Sequence, residues 1–355
     1  MAAPYPADRS SREGLARKLS PIRRTRVPRA TIVVDRNYMT SATAARVDHV
    51  HLVREMLTTG ERSALFASAR RGEFVALFPG VYLDAALWQR MTPTERYRAR
   101  VKSASLVAPA ETVFSHLSAA SLWRLPLVGA WPKSADVLAP PSAGGRSTRV
   151  FQRHTVGIPE EVELIEGLTV TTLARTEVDV ASRLDFVAAV TVVDATLRRT
   201  AYPLPQLPIT SVSRADLTEA LQTVPLRHGR EKARLAVEFA DGAADRPGES
   251  VSRVNMHRMG CLMPELQVAL AGASGRIYIV DFWWPQFNMI GEFDGDAKYT
   301  DPEFPGGRTP ERVLLDEKLR EDDLRAAGHG MCRWRWATAM SVHSLHAHPL
   351  AAGIR

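Results

Sequence analysis

Three carboxylates in the C-terminal third of the sequence are spaced so that they could hold a divalent cation. Asp281 is followed by Glu292, and Asp294 comes two residues after Glu292. Carboxylate oxygens are ligands that Mg²⁺ and Mn²⁺ prefer, and clustered like charges repel unless a cation or a proton neutralises them. A bound divalent cation polarises a phosphodiester and lowers the pKa of a bound water. The three residues therefore predict a metal site for hydrolytic strand cleavage.

The three carboxylates lie in two segments that are predicted to form a hairpin. Residues 277–284 and 289–295 are rich in β-branched, aromatic and other apolar side chains, and Pro-Gln-Phe-Asn lies between them. If the hairpin turns midway through those four residues, paired residues have numbers that sum to 573, which places Asp281 opposite Glu292. Because side chains alternate between the two faces of a strand, we expect Asp294 on the same face as Glu292.

The elements around this hairpin are predicted in the order αβββαβ. They are a helix over 249–260, a strand over 265–270, the two hairpin strands, a helix over 311–327 and a strand over 331–336. In the last strand, alternation predicts that Cys332, Trp334 and Trp336 face the core. The same alternation predicts that Arg333 and Arg335 face out.

The C-terminal block closely resembles the PD-(D/E)XK nuclease superfamily, in its branch similar to very-short-patch-repair endonucleases. The resemblance covers roughly 245–340 and rests on the αβββαβ order and the segments VDFWWP, GEFDG, EKLREDDLRAAG and RWRW. It implies a restriction-endonuclease-like fold and a Mg- or Mn-dependent endodeoxyribonuclease activity. It also implies that Asp281 and Glu292 bind the metal, that Glu249 is a third acidic contributor, and that Gln267 lines the site.

One position departs from the superfamily's pattern. The superfamily places a lysine two residues after the glutamate, where this sequence has Asp294. Lys298, beyond the turn at Gly295, is the favoured replacement because it needs only a local change of chain direction. Lys318 on the following helix is the second candidate, while the other charges of that helix, Arg320 included, are expected to face solvent. The alternative is a degenerate nuclease fold that binds DNA or serves assembly and no longer cuts.

A small N-terminal unit over 37–97 has the predicted outline of a winged helix. Apolar residues over 47–57 predict a first helix, Thr59 is expected to cap a second helix that ends at Gly72, and 74–83 predict a two-stranded ribbon. In a winged helix the second helix enters a DNA groove and the ribbon contacts the flanking backbone. The DNA-binding candidates are Arg62, Arg70 and Arg71. The alternative is a scaffold or protein-interaction module.

The middle block, 98–240, alternates helical and strand-like pieces. Residues 168–171 predict a strand, and Thr172 is expected to cap the helix that follows. The segments RRGEFVALFPGVYL, SHLSAASLWRLP and GLTVTTLARTEVDVA resemble actinobacterial proteins with an AbiEi-type antitoxin N-terminal region. That resemblance covers most of 45–200 and implies a winged helix before a small α/β domain, with a cognate toxin as a partner. His116 is expected to be a hydrogen-bonded structural histidine.

Composition and charge are those of a globular protein. The chain has 355 residues, of which 45% are hydrophobic and 24% charged, and only two cysteines, which fits a reducing compartment. The longest apolar run is far below the ~18 residues that a membrane span requires. The net charge is +7, and residues 1–30 carry +6 of it, so a basic disordered tail is predicted over 1–36. That tail contacts phosphate or only aids solubility.

These patterns predict an α/β and α+β multidomain protein with a cytoplasmic location. The predicted divisions are 1–36, 37–97, 98–240 and 241–345. The leading hypothesis is a DNA-directed protein in which a winged-helix region precedes a metal-dependent nuclease-like domain. The alternative is a non-enzymatic, antitoxin-like transcriptional autoregulator, and a third hypothesis is a partner-binding module in phage defence. DNA and a toxin are the expected partners, and no membrane is expected.

Overall fold

The computed structural model describes residues 49–140, 146–204, 207–208, 210–295 and 310–347. They all belong to the larger of the two units into which the chain divides, 43–355. Their architecture is mixed α/β, with helices and several small sheets. The predicted tail over 1–36 and Lys298 lie outside the described residues.

The first described elements form a three-stranded antiparallel sheet with one helix. They are β1 (Val50–Leu52), α1 (Thr59–Arg70), β2 (Phe74–Phe78) and β3 (Val81–Asp84). The strand order is β1-β3-β2, so the strand before the helix pairs with the second strand of the ribbon. Thr58 caps α1 in a capping box with Glu61, one residue before the predicted cap at Thr59.

The helix predicted over 47–57 is wrong for the described residues of that range, 49–57. Val50–Leu52 is a strand, and a single 3-10 turn follows it over Val53–Glu55. All three residues of the strand pair with β3. A short, largely apolar stretch such as 50–53 fits a helix and a strand alike, so the hydrogen bonds offered by the neighbouring ribbon decide the structure here.

The middle of the chain contains short strands among helices. In chain order the elements are α2 (Ala85–Arg90), α3 (Pro93–Ser105), α4 (His116–Leu122), β4 (Ala135–Leu138), β5 (Phe151–His154), β6 (Val162–Ile165), β7 (Leu168–Thr171), α5 (Leu173–Ala181), α6 (Phe186–Ala201), α7 (Arg214–Thr223) and α8 (Arg230–Phe239). Strands β4 and β5 pair in parallel, and β6 and β7 pair antiparallel. The predicted strand over 168–171 is confirmed, and the Thr172 hydroxyl accepts from the Arg175 amide at the start of α5, as predicted.

Helix α6 is buried along most of its length and carries one charge into the interior. Asp194 on α6 is fully buried and pairs with Arg253 at 2.9 Å. Arg253 lies on a helix of the C-terminal block, α9 (Pro247–Arg258). A buried carboxylate needs such a partner, since an unpaired charge in the interior is strongly destabilising. The pair therefore ties the middle block to the C-terminal block.

The C-terminal elements follow the predicted order αβββαβ. After α9 come β8 (Glu265–Ala271), β9 (Ile277–Trp284), β10 (Met289–Asp294), α10 (Pro310–Ala326), β11 (Gly330–Arg335), α11 (Trp336–Ala339) and α12 (Val342–Ala347). The sheet order is β11-β10-β9-β8. Strand β11 pairs with β10 in parallel, and the other pairs are antiparallel.

Aromatic rings cover one face of this sheet and pack on two glycines. A Cβ added to Gly291 would lie 2.7 Å from the Trp334 ring and 2.8 Å from the Trp284 ring. A Cβ added to Gly248 on α9 would lie 2.0 Å from the Phe293 ring. Side chains at these two positions would force the rings apart, so the glycines allow α9 to pack closely on the sheet.

Two predicted orientations at the end of the sheet need correction. Trp336 does not face the core from a strand, because β11 ends at Arg335 and Trp336 begins α11, where it is 37% exposed. Arg333 faces away from the aromatic core as predicted, but it is half-buried and forms ion pairs there. Among the described helices, none combines the length and the apolar character that a membrane crossing needs.

A candidate carboxylate site on the C-terminal sheet

The register of the β9–β10 hairpin is the predicted one. Its three backbone pairs join residues whose numbers sum to 573, the last being Gly291 with Phe282. The next pair in this register would be Glu292 with Asp281, and at this level the ladder ends. There the Asp281 Oδ2 atom accepts a hydrogen bond of 2.9 Å from the Phe293 backbone amide. The Asp281 carboxylate therefore lies against the backbone of the neighbouring strand, next to Glu292.

The three predicted carboxylates line one small, polar cavity. Asp281, Glu292 and Asp294 share a cavity of about 100 Å³. The other charged residues that line it are Asp245, Arg246, Arg320 and Arg333. Four carboxylates thus face three guanidinium groups, and the charges nearly balance.

Two arginines each pair with one oxygen of the Glu292 carboxylate. The Arg320 Nη2 atom lies 2.7 Å from Oε1, and the Arg333 Nη2 atom lies 3.1 Å from Oε2. Glu292 is buried, so these cations offset the cost of removing its charge from water. Arg335 reaches Asp294 more loosely, at 3.9 Å, from the exposed end of β11.

The sequence interpretation missed both arginines of this pair. Arg320 was expected on a solvated helix face, yet it leaves α10 towards the cavity. Lys318 lies two residues earlier on the same helix, so it points about 200° away from Arg320, and it is exposed. The structure therefore does not bring Lys318 to the cavity. The position of Arg333 could have been predicted from strand pairing, because a parallel β11 in this register places Arg333 directly beside Glu292.

Glu249 lies beside the cavity, buried at the start of α9. Its Oε2 atom accepts hydrogen bonds from the Asp245 amide at 2.9 Å and from the Gln267 side-chain amide at 3.1 Å. Burial, and after it the negative charge of Asp281, raise the pKa of Glu249 to about 8. The carboxyl group is consequently protonated near neutral pH, which removes one negative charge from the cluster.

The sheet is irregular at the level of this cluster. Strand β8 pairs regularly with β9 on both sides of Gln267, but Gln267 itself, which the register would place opposite Asp281, makes no pair. Its φ of 51° lies in the left-handed region, which a non-glycine residue rarely adopts. This backbone turns the side chain of Gln267 to Glu249. The ladder pairing of β9 is therefore interrupted on both edges at Asp281, opposite Gln267 and opposite Glu292, and such departures concentrate at functional sites.

The donor chemistry of the cavity fits a hard divalent cation. Within the described ranges, no three carboxylate, imidazole or thiol side chains converge as a ready-made metal cage. Mg²⁺ does not need one, since it is commonly bound through one or two carboxylates together with water and substrate phosphate. Asp281 and Glu292, adjacent on neighbouring strands, supply that number. The predicted ligand Asp294 lines the same cavity, and Lys298 lies outside the described residues.

The three candidate DNA-binding arginines lie at the ends of α1. Arg62, Arg70 and Arg71 are all exposed. Arg71 forms an ion pair with Glu73 at 2.6 Å, which offsets its charge, and Arg62 donates to the Met56 carbonyl at 3.1 Å. The arrangement leaves Arg62 and Arg70 as the stronger candidates for phosphate contact.

His116 is buried and hydrogen-bonded, as predicted for a structural histidine. Its Nδ1 atom lies 3.0 Å from the Ser115 hydroxyl, and its ring stacks on His154 with centroids 3.6 Å apart. His154 in turn bonds Asp136 through Nε2 at 2.7 Å.

Part of the chain is similar to a mycobacterial protein. No protein-family model matches the chain. An uncharacterized protein of Mycobacterium tuberculosis, found in strains CDC 1551 / Oshkosh and ATCC 25618 / H37Rv, is 30% identical over 159 residues. The match covers 43% of this chain and 55% of the relative, so the chain spans about half the length of the curated relatives it matches.

Proposed function

We propose that this protein acts on DNA and that its C-terminal carboxylate cluster hydrolyses phosphodiester bonds with Mg²⁺ or Mn²⁺. The observation that carries the proposal is the meeting of Asp281, Glu292 and Asp294 in one cavity at the irregular level of the sheet. This placement is what a PD-(D/E)XK, restriction-endonuclease-like fold would require of these residues. The αβββαβ order and the parallel last strand support the same proposal.

Asp281 and Glu292 would hold the cation, which would polarise the scissile phosphodiester and acidify a bound water. The Phe293 amide fixes the Oδ2 atom of Asp281 and so orients this carboxylate at the cavity. Arg333 and Arg320 orient Glu292 and offset its charge while no cation is bound. Arg246, which also lines the cavity, can meet a phosphate oxygen, since guanidinium groups pair well with phosphate. While no cation is bound, a proton on Glu249 removes one negative charge from the cluster.

The N-terminal sheet and α1 would supply contact with duplex DNA. Strand β1 pairs with β3, the second strand of the ribbon, and α1 lies between β1 and the ribbon in the sequence. This arrangement is consistent with a winged helix. In such a unit α1 would present Arg62 and Arg70 to the duplex, and β2 and β3 would contact the flanking backbone. DNA is therefore the substrate class that suits both the N-terminal unit around α1 and the C-terminal carboxylate cluster.

A second function is favoured by the ion pairs of Glu292. Because Arg320 and Arg333 already neutralise this carboxylate, the cluster is stable without a metal ion. The protein would then be a non-enzymatic, antitoxin-like transcriptional autoregulator with a cognate toxin as partner, in a toxin–antitoxin or phage-defence system. Its C-terminal domain would bind DNA or the toxin without cutting.

Calorimetric titration of the full chain with MnCl₂ separates the two functions. We expect the wild type to bind Mn²⁺ and to nick duplex DNA in its presence, and we expect Asp281→Asn to lose both properties. Glu265→Gln, which changes an exposed carboxylate on β8, is the matched control and should behave as wild type. DNA binding without Mn²⁺ binding or cleavage would reject the nuclease and favour the autoregulator.

A further inference from the structure

A second cavity lies in the middle of the chain, away from the carboxylate cluster. Its volume is about 410 Å³, and more of its lining surface is polar than apolar. Its walls come from the end of β5 and the residues after it, from the end of α5, and from the segment 226–228 before α8. No part of the proposed hydrolytic site lines this cavity.

Basic side chains line part of the cavity. Arg153 comes from β5, Arg183 follows α5, and Arg227 and His228 come from the segment before α8. Arg183, Arg227 and His228 are exposed, and Arg153 is half-buried. Three guanidinium groups from three separate segments thus line one cavity, which favours an anionic ligand.

Two buried, stacked imidazoles and one carboxylate line the inner part of the cavity. His116 and His154 are 6% and 7% exposed, and Asp179 is 1% exposed. Burial, then His154, Arg183 and Arg175, hold the pKa of His116 well below its usual range, so its ring is neutral. A neutral imidazole offers one donor and one acceptor, and among the described residues the hydrogen bonds of His116 use only its Nδ1 atom.

The carboxylate of Asp179 is held by Arg175, whose Nε atom donates to Oδ2 at 2.9 Å. No hydrogen bond reaches the other oxygen, Oδ1, within the described part of the chain. Buried polar atoms without a hydrogen bond are rare in proteins and call for an explanation. A ligand that brings its own donor, or a bound water, would satisfy this oxygen.

The backbone of the cavity wall is held in unusual conformations. His116 has a φ of 46°, in the left-handed region, although it is not a glycine. Gly229 has a φ of 78°, and a Cβ added there would lie 2.0 Å from the Ser182 carbonyl oxygen. The segment before α8 therefore approaches the end of α5 as closely as only glycine permits, and Arg227 secures it by donating to the Thr155 carbonyl at 3.1 Å.

We infer that this cavity binds the phosphate group of a phosphomonoester of mononucleotide size. Arg153, Arg183 and Arg227 would bind the phosphate oxygens, and His116 would add a hydrogen bond from the inner wall. The volume exceeds the needs of inorganic phosphate alone and falls within the ~300–1,000 Å³ of small-molecule sites. Val156 and Leu226 on the wall offer apolar contact to an organic group attached to the phosphate.

Calorimetric titration of the full chain tests this site with dAMP, inorganic phosphate and deoxyadenosine as separate probes. We expect dAMP to bind, deoxyadenosine not to bind, and Arg183→Gln and Arg227→Gln each to weaken dAMP binding at least ~10-fold, about the loss of one charged hydrogen bond. Arg276→Gln, which changes an exposed arginine in the β8–β9 turn, is the matched control and should leave binding unchanged. Arg183→Gln removes an exposed side chain, so its thermal unfolding should match the wild type.

Several outcomes would overturn the inference. They are the absence of dAMP and phosphate binding at millimolar concentration, equal binding of dAMP and deoxyadenosine, and dAMP binding that neither cavity variant weakens. If inorganic phosphate binds as tightly as dAMP and both cavity variants weaken it, the site is supported and its ligand is phosphate itself. None of these results depends on whether the carboxylate cluster cuts DNA.

Discussion

Asp281 accepts a hydrogen bond from the backbone amide of Phe293, and this bond joins β9 to β10 at the level where their ladder ends. The amide would otherwise be a buried donor without a partner, since Phe293 is only 6% exposed. The Asp281 side chain therefore stabilises the fold through Oδ2 and also lines the cavity of the proposed cation site. The two roles can be separated by substitution.

Asp281→Asn should keep the fold and lose the proposed chemistry. The Asn carbonyl oxygen can still accept from the Phe293 amide, whereas Asp281→Ala leaves that amide without an acceptor. We expect the alanine variant to lose about 1–3 kcal/mol of unfolding free energy and the asparagine variant much less. Urea denaturation measures the difference. Equal destabilisation by both substitutions would show that the hydrogen bond is not what stabilises this position.

Arg333→Leu should destabilise the protein because Glu292 would lose a cationic partner. An uncompensated buried charge is costly, so we expect a loss of about 1–3 kcal/mol with Arg320 still in place. Glu292→Gln in the same chain should recover most of the loss, because the amide carries no charge. Urea denaturation of both single variants and the double variant completes the cycle. If the changes in unfolding free energy of the two single variants simply add in the double variant, the ion pair does not contribute to stability.

Glu292→Gln should also abolish Mn²⁺-dependent cleavage without unfolding the protein. The amide is a far weaker ligand for a hard cation than a carboxylate. A nicking assay on supercoiled DNA, with circular dichroism as the check on folding, measures the effect. Glu265→Gln is again the control, and undiminished cleavage by Glu292→Gln would remove Glu292 from the proposed ligands.

The stability of the protein should fall as the pH rises from about 5 to 8 because of Glu177. Burial raises the pKa of Glu177 from 4.5 to about 8, while the Thr196 hydroxyl donates to its Oε2 atom at 2.6 Å. Between these values the folded chain holds a proton that the unfolded chain has released, so the unfolding free energy decreases by up to about 1.4 kcal/mol per pH unit.

Glu177→Gln removes this titration and keeps an oxygen acceptor for Thr196. The variant should therefore gain stability relative to the wild type as the pH rises from 5 to 8, as measured by urea denaturation at each pH. Glu219→Gln, at an exposed position of α7, should follow the wild type throughout. A constant difference between Glu177→Gln and the wild type would contradict a raised pKa at this site.

Duplex DNA binding should depend more on Arg62 and Arg70 than on Arg71. Each lost phosphate contact lowers the slope of the log–log plot of affinity against salt by about 0.9. We expect that decrease for Arg62→Gln and for Arg70→Gln, and a smaller one for Arg71→Gln because Glu73 already pairs with Arg71. Fluorescence anisotropy across a salt series gives the slopes. Slopes identical to that of the wild type would assign this unit to a scaffold role.

The C-terminal hairpin could be predicted because its information is local. Two runs of apolar residues with one short turn between them determine the register, and the strand over 277–284 lies where predicted. The position of the Arg320 side chain could not be predicted, because a helix with charges of both signs is typical of a solvated surface. The side chain turns inward because it pairs with Glu292 on the remote strand β10. The irregularity at Gln267 has no local signal either, since no glycine or proline marks it. At 47–57 the sequence pattern was ambiguous, and pairing with a distant strand resolved it.

The buried ion pair of Asp194 and Arg253 limits where the chain can be cut into fragments that fold on their own. A fragment that begins at residue 241 would retain Arg253 without its carboxylate and would uncover the side of α9 that packs on α6. Both changes favour aggregation of the excised piece over an independent fold. We therefore expect calorimetric melting to show one cooperative transition for these two blocks. If the C-terminal block is exchanged between homologous chains, α6 must be exchanged with it. Recombination breakpoints therefore belong before residue 186 and not within residues 241–248, which contain Gly242 and Gly248.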